Sequence, residues 1–138
     1  MKPIIVRGGG DLATGTIHRL CKSGYPVIVL EDTSPSAIRQ KVSFCQAAYE
    51  GSMEVEGIVC QKADTFSKAL EKVTWKNPML VIDPKAACLN QYHPNILIDA
   101  ILAKKNLGTH RGMADLTIAL GPGFTAGEDV DYVIETKR

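Results

Sequence analysis

The residues best placed to do chemistry are three consecutive glycines near the start, in "IIVRGGGDLATGTIHRL". Gly8, Gly10 and Ala13 fit the G-x-G-x-x-G/A spacing, with Gly9, Asp11 and Leu12 between them. In a strand–loop–helix, the first glycine makes the tight turn and the second lets a pyrophosphate approach the backbone. The small third residue allows close helix–sheet contact. The helix that follows presents unpaired N–H groups and a positive dipole end to an anion. Glu31 and Asp32 end the next apolar run, roughly 20 residues on, where an acid for ribose hydroxyls belongs. An acid there disfavours a 2′-phosphate, so NAD or another adenosine-type nucleotide is expected over NADP. Asp11 opposes a phosphate at the mouth of the loop unless its carboxylate caps the helix by accepting from Ala13 or Thr14; Arg7 could also offset it.

A second glycine loop, "GPGFTAG" from Gly121 to Gly127, also follows a strand pattern. Gly121, Gly123 and Thr125 could form a nest of N–H donors, or Gly-Pro-Gly could simply make a sharp turn. Upstream, "AKKNLGTHRG" gathers Lys104, Lys105, His110 and Arg111 in a polar stretch without periodicity. That composition suits a loop meeting phosphate, and equally a solvated surface loop. Two glycine loops and one cationic loop at strand ends can converge on one side of a sheet, where α/β proteins bind ligands.

No acid–base apparatus stands out. His18 lies beside the apolar stripe of the first helix and His93 precedes Pro94. Asp83 and Asp99 sit at strand ends, where turn formation or capping serves as well as catalysis. There is no zinc-spaced His/Cys/Asp cluster and no nucleophile elbow.

The elements that must position these residues alternate. Strand patterns run through "PIIVR", "PVIVLE", "GIVC", "MLVID", "NILIDAILA", "DLTIALG" and "VDYVIET". Helical spacing is expected over Asp11 to Ser23, with Ala13, Ile17, Leu20 and Cys21 on one face and Gly24 as C-cap. A second helix is expected over Ser36 to Tyr49, capped by Ser34, with Pro35 in its first turn and a stripe of Ile38, Val42, Cys45 and Tyr49. A third carries Phe66, Ala69, Leu70 and Val73. This βαβ alternation predicts an α/β fold, a Rossmann-like three-layer sandwich on a mostly parallel sheet.

At 138 residues the chain reads as one domain over 1–138. Lys plus Arg number 16 against 15 Asp plus Glu, so neither a nucleic-acid nor a membrane surface is indicated. No apolar run approaches a bilayer span and no signal sequence opens the chain, so a cytoplasmic protein is the expectation. The four cysteines, Cys21, Cys45, Cys60 and Cys88, form no CxxC pair and read as buried free thiols.

Taken together, "VRGGGDLATGTIHRL", "PSAIRQKVSFCQAAYEG", "VEGIVCQ" and "AKKNLGTHRGMADLTIALGPGFTAGEDVDYVIET" resemble the YqeB-type proteins of the selenium-dependent molybdenum hydroxylase system. The resemblance implies an accessory or maturation factor, related in role to those of xanthine dehydrogenase. It also implies a longer chain, of which these residues are the N-terminal half. The implied ligand is a nucleotide or dinucleotide, either molybdopterin cytosine dinucleotide or NAD. The implied partner is a hydroxylase subunit or another cofactor-maturation protein, and a homodimer is compatible with it. An NAD-dependent oxidoreductase and a non-enzymatic interaction module for a hydroxylase subunit are the alternatives.

Overall fold

The computed structural model describes residues 1–37 and 39–136. One sheet of eight strands runs through the chain: β1 (Ile4–Arg7), β2 (Val27–Glu31), β3 (Ser52–Val55), β4 (Ile58–Lys62), β5 (Met79–Ile82), β6 (Ile96–Asp99), β7 (Leu116–Leu120) and β8 (Tyr132–Ile134). Their order is β3-β4-β5-β2-β1-β6-β7-β8, parallel throughout except for β3 against β4. The α/β architecture, consistent with a Rossmann-like sandwich, matches the expectation, and every strand pattern read from the sequence is a strand. The chain builds outward from β1 to one side and then returns through β6 to the other. The β1–β6 boundary is therefore the topological switch point, where the carboxyl ends of the strands open a crevice.

Both faces of the central strands are buried, so β1 and β2 are apolar throughout their middles rather than alternating. On one face Val6, Val27, Val29 and Leu80 pack against Ala13, Ile17 and Cys21 of α1 (Asp11–Lys22). On the other, Ile5, Ile28, Leu30 and Met79 meet Ala69 of α3 (Phe66–Lys72). Thr65 caps α3 by accepting from the Lys68 N–H. α1 ends as expected of its glycine: Gly24 has φ +94°, and the N–H groups of Gly24 and Tyr25 turn back to the carbonyls of Cys21 and Leu20.

The second expected helix does not form. Residues 36–49, with Ile38 outside the described residues, instead give two 3₁₀ turns (Gln40–Val42 and Phe44–Gln46), followed by the single turn α2 (Ala47–Glu50). The reason lies in the tertiary partners of its backbone. The Arg39 N–H goes to the Asp11 carboxylate, the Phe44 N–H to Thr14 Oγ1 and the Cys45 N–H to the Gly9 carbonyl, which removes donors a helix ladder needs. Among the described residues of the expected stripe only Cys45 is buried, while Val42 and Tyr49 are exposed and Phe44 and Ala47 supply the packing. The hairpin strand β3 was not foreseen, although Glu56 (φ +46°) and Gly57 (φ +84°) form the two-residue turn that "EG" between alternating residues can make.

Candidate functional site

The first glycine loop bridges β1 and α1 at the switch point, and its three glycines are there for different reasons. Gly8 has φ +101°, and a Cβ on it would stand 2.8 Å from the Ala100 carbonyl oxygen at the end of β6. Gly9 lies under the crossing segment, where a Cβ would meet Cys45 N at 3.2 Å and Val29 Cγ1 at 3.3 Å. Gly10 is the N-cap of α1 with φ −73°, and nothing lies within 4 Å of where its Cβ would be. Above it the N–H groups of Asp11, Leu12 and Ala13 have no acceptor among the described residues.

Asp11 does not cap α1 as expected. Its carboxylate accepts from Ser43 Oγ at 2.6 Å and from the Arg39 N–H, tying the 39–43 segment beside the helix start. Glu31 also points inward: Oε2 accepts from the Gly9 N–H at 2.7 Å and Oε1 from the Asp32 N–H at 2.7 Å. Burial pushes the Glu31 carboxyl above its ordinary range, against the opposing pull of those two N–H donors. Asp32 is exposed, and its own carboxylate holds the Thr33 N–H.

Beneath the loop lies a buried polar network across the switch point. Arg7, 2% exposed at the end of β1, donates from Nη1 to Thr109 Oγ1 at 2.8 Å and from Nη2 to the Pro84 carbonyl at 3.0 Å. Thr109 in turn donates to Asp99 Oδ2 at 2.5 Å, joining two strand-end charges that sit side by side in the β1–β6 register. The motif "KNLGT" exists to place that threonine: Asn106 Oδ1 accepts from the Gly108 and Thr109 N–H groups, and Gly108 takes φ +101°. Sequence reasoning missed this role of Thr109. Its signal was an arginine closing an apolar strand, a charge that burial obliges to find partners. Arg7, Gly8, Glu31, Asp32, Ile101 and Leu107 are among the residues around a small crevice of about 60 Å³ at this point.

The second glycine loop meets the start of the cationic stretch farther along the same edge. A Cβ on Gly121 would strike Leu102 Cδ2 at 2.7 Å, and one on Gly123 would stand 2.9 Å from Lys105 Cα. The segment after β6 thus runs from Gly8 along the carboxyl edge to Gly121 and Gly123, carrying exposed Lys104 and Lys105. The N–H groups of Gly121, Thr125 and Gly127 are already taken by Ile134 O, Asp129 Oδ2 and Val130 O, so they offer no nest. Arg111 bonds to Asp131 and to the Gly127 carbonyl at the far end of that glycine loop. Asp131 also accepts from the Thr117 N–H and hydroxyl, which hold its carboxyl below the usual range. His18 lies against Glu56 of the hairpin, His93 pairs with Asp115, and Asp83 caps the 3₁₀ turn at Ala87 and Cys88. Burial drives the cysteine thiols up, Cys45 to about 11 and Cys21 to about 12, so these are packing groups rather than nucleophiles.

The chain is similar to YqeB of Escherichia coli (strain K12). It is 44% identical to that uncharacterized protein over 135 residues, 98% of this chain and 25% of the relative. The chain therefore spans about a quarter of the length of YqeB. No protein-family model and no solved structure matches it. Among the described residues, no helix is long and apolar enough to cross a membrane.

Proposed function

We propose that this domain binds the pyrophosphate of a nucleotide or dinucleotide at the start of α1, and that it serves in the maturation of a selenium-dependent molybdenum hydroxylase. The observation that carries the binding is Gly10. The fold requires glycine at Gly8 by conformation and packing, whereas Gly10 has ordinary φ and open space, and it lies beneath three N–H groups without acceptors among the described residues. A side chain is absent where a phosphate would have to approach the backbone. Glu31 or Asp32 would meet the ribose, and Lys104 and Lys105 would add charge along the same edge. Molybdopterin cytosine dinucleotide and NAD are the leading ligands. The maturation role rests on the resemblance to YqeB-type proteins alone.

Thermal unfolding against NAD, NADP, ATP, CTP and molybdopterin cytosine dinucleotide tests the reading. A ligand at ~100 times its dissociation constant adds about 2.7 kcal/mol. A selective rise that Gly10→Leu abolishes is expected; an equal rise in that variant refutes the loop as the site. The interaction-module reading is favoured by one feature, the sheet edge at β8, where Tyr132 and Ile134 are exposed. It predicts co-purification with a hydroxylase subunit that Tyr132→Lys disrupts.

A further inference from the structure

Beyond the α1 end, the carboxyl edge carries a second concavity of about 600 Å³, within the range of small-molecule sites. Leu102, Pro122, Phe124 and Val133 give it apolar walls, and Lys104 and Glu135 stand on its rim. Two observations mark it as more than a gap between loops. Leu102 holds φ +60°, a conformation in which a bulky residue is strained, and it does so with its side chain against Gly121, where any Cβ would clash. In addition, the exposed Lys104 and Glu135 bring opposite charges to the same cleft, and neither takes part in an ion pair among the described residues.

We infer that this cleft is a binding site for a planar heterocycle that carries an anionic tail and donates hydrogen bonds from one ring edge. The flat ring lies between Leu102 and Phe124, the donor edge meets the Glu135 carboxylate, and the anion meets Lys104. A carboxylate only accepts hydrogen bonds, so it selects a ring presenting N–H groups over one presenting a lone pair at the same position. A guanine-type edge qualifies and an adenine-type edge does not. The inference deepens the nucleotide reading above, naming the class of ring at the far end of the edge, and it rests on that reading only for a ligand long enough to span both places.

Isothermal titration of the 138-residue chain with GMP, AMP and inorganic pyrophosphate tests it. GMP is expected to bind at least fivefold more tightly than AMP. Glu135→Gln, an exposed substitution that leaves the fold untouched, is expected to erase that preference, and Ala103→Trp, which fills the cleft, to abolish GMP binding. Equal affinities for GMP and AMP, no GMP binding at all, a preference that survives Glu135→Gln, or unchanged GMP binding in Ala103→Trp would each overturn the proposal. Pyrophosphate reports separately on the α1 end. Its failure to bind while the GMP preference holds supports the cleft and strikes only the pyrophosphate reading.

Discussion

Gly8 and Gly10 are two residues apart, yet alanine should be costly at the first and almost neutral at the second. At Gly8 the φ of +101° costs an L-residue about 1–2 kcal/mol by the left-handed penalty alone. The new Cβ also stands 2.8 Å from the Ala100 carbonyl oxygen, against an ordinary contact of 3.4 Å or more. That oxygen cannot retreat freely, because the Ala100 N–H is bonded to the Arg7 carbonyl at 2.8 Å and the β1–β6 register ends there. Overpacking of this kind adds about 1–3 kcal/mol, so Gly8→Ala should cost roughly 2–5 kcal/mol. At Gly10 nothing is struck. A slightly poorer N-cap is offset by the lower entropy of the unfolded chain, and Gly10→Ala should stay within about 0.5 kcal/mol of the parent. Urea unfolding followed by far-ultraviolet circular dichroism measures both. A loss of less than about 1 kcal/mol in Gly8→Ala, or a Gly10→Ala destabilised as much as Gly8→Ala, would refute these separate roles for the two glycines.

Three further outcomes follow from the same geometry. Thr109→Val removes the hydroxyl between Arg7 and Asp99 at constant shape and should cost about 3–5 kcal/mol, whereas Thr109→Ser should cost about 1 kcal/mol; equal urea midpoints for the two would refute the bridge. Asp131 has its carboxyl pKa lowered in the folded state, so it stabilises above its unfolded value of 3.8 and that contribution is lost as pH falls through the folded value. Asp131→Asn should therefore lower the thermal midpoint at pH 7 and flatten its acid-side decline, and an unchanged pH profile would contradict this. Glu31, raised by burial, works the other way: its ionisation weakens the fold as pH rises from 4.5 through the folded value. Glu31→Gln should make the midpoint less dependent on pH across that window, which a thermal scan in steps of pH would detect.

Much of the fold could be read from the chain because its strands are short apolar runs bounded by glycine, proline and acids. The stripe of α1 was equally plain, since Ala13, Ile17 and Cys21 do pack on the sheet. The second helix misled because periodicity reports only which side chains could face a core. Its backbone donors at Arg39, Phe44 and Cys45 are drawn instead to Asp11, Thr14 and Gly9, partners remote in sequence. Among the site residues, the glycine spacing located the loop but could not separate Gly8, needed by the fold, from Gly10, which is not. Asp11 and Glu31 were legible as carboxylates near the loop; that each would spend its oxygens on the loop's own surroundings was not. Thr109 was hidden because its role depends on Arg7 and Asp99 arriving side by side in adjacent strands.

Amide chemical shifts show whether the start of α1 receives the phosphates of a nucleotide. On titrating ¹⁵N-labelled protein with NAD or CTP, the N–H signals of Asp11, Leu12 and Ala13 should move first and saturate, while Gly10→Leu leaves them still. Saturable binding that moves other amides and leaves these three unchanged would contradict the account.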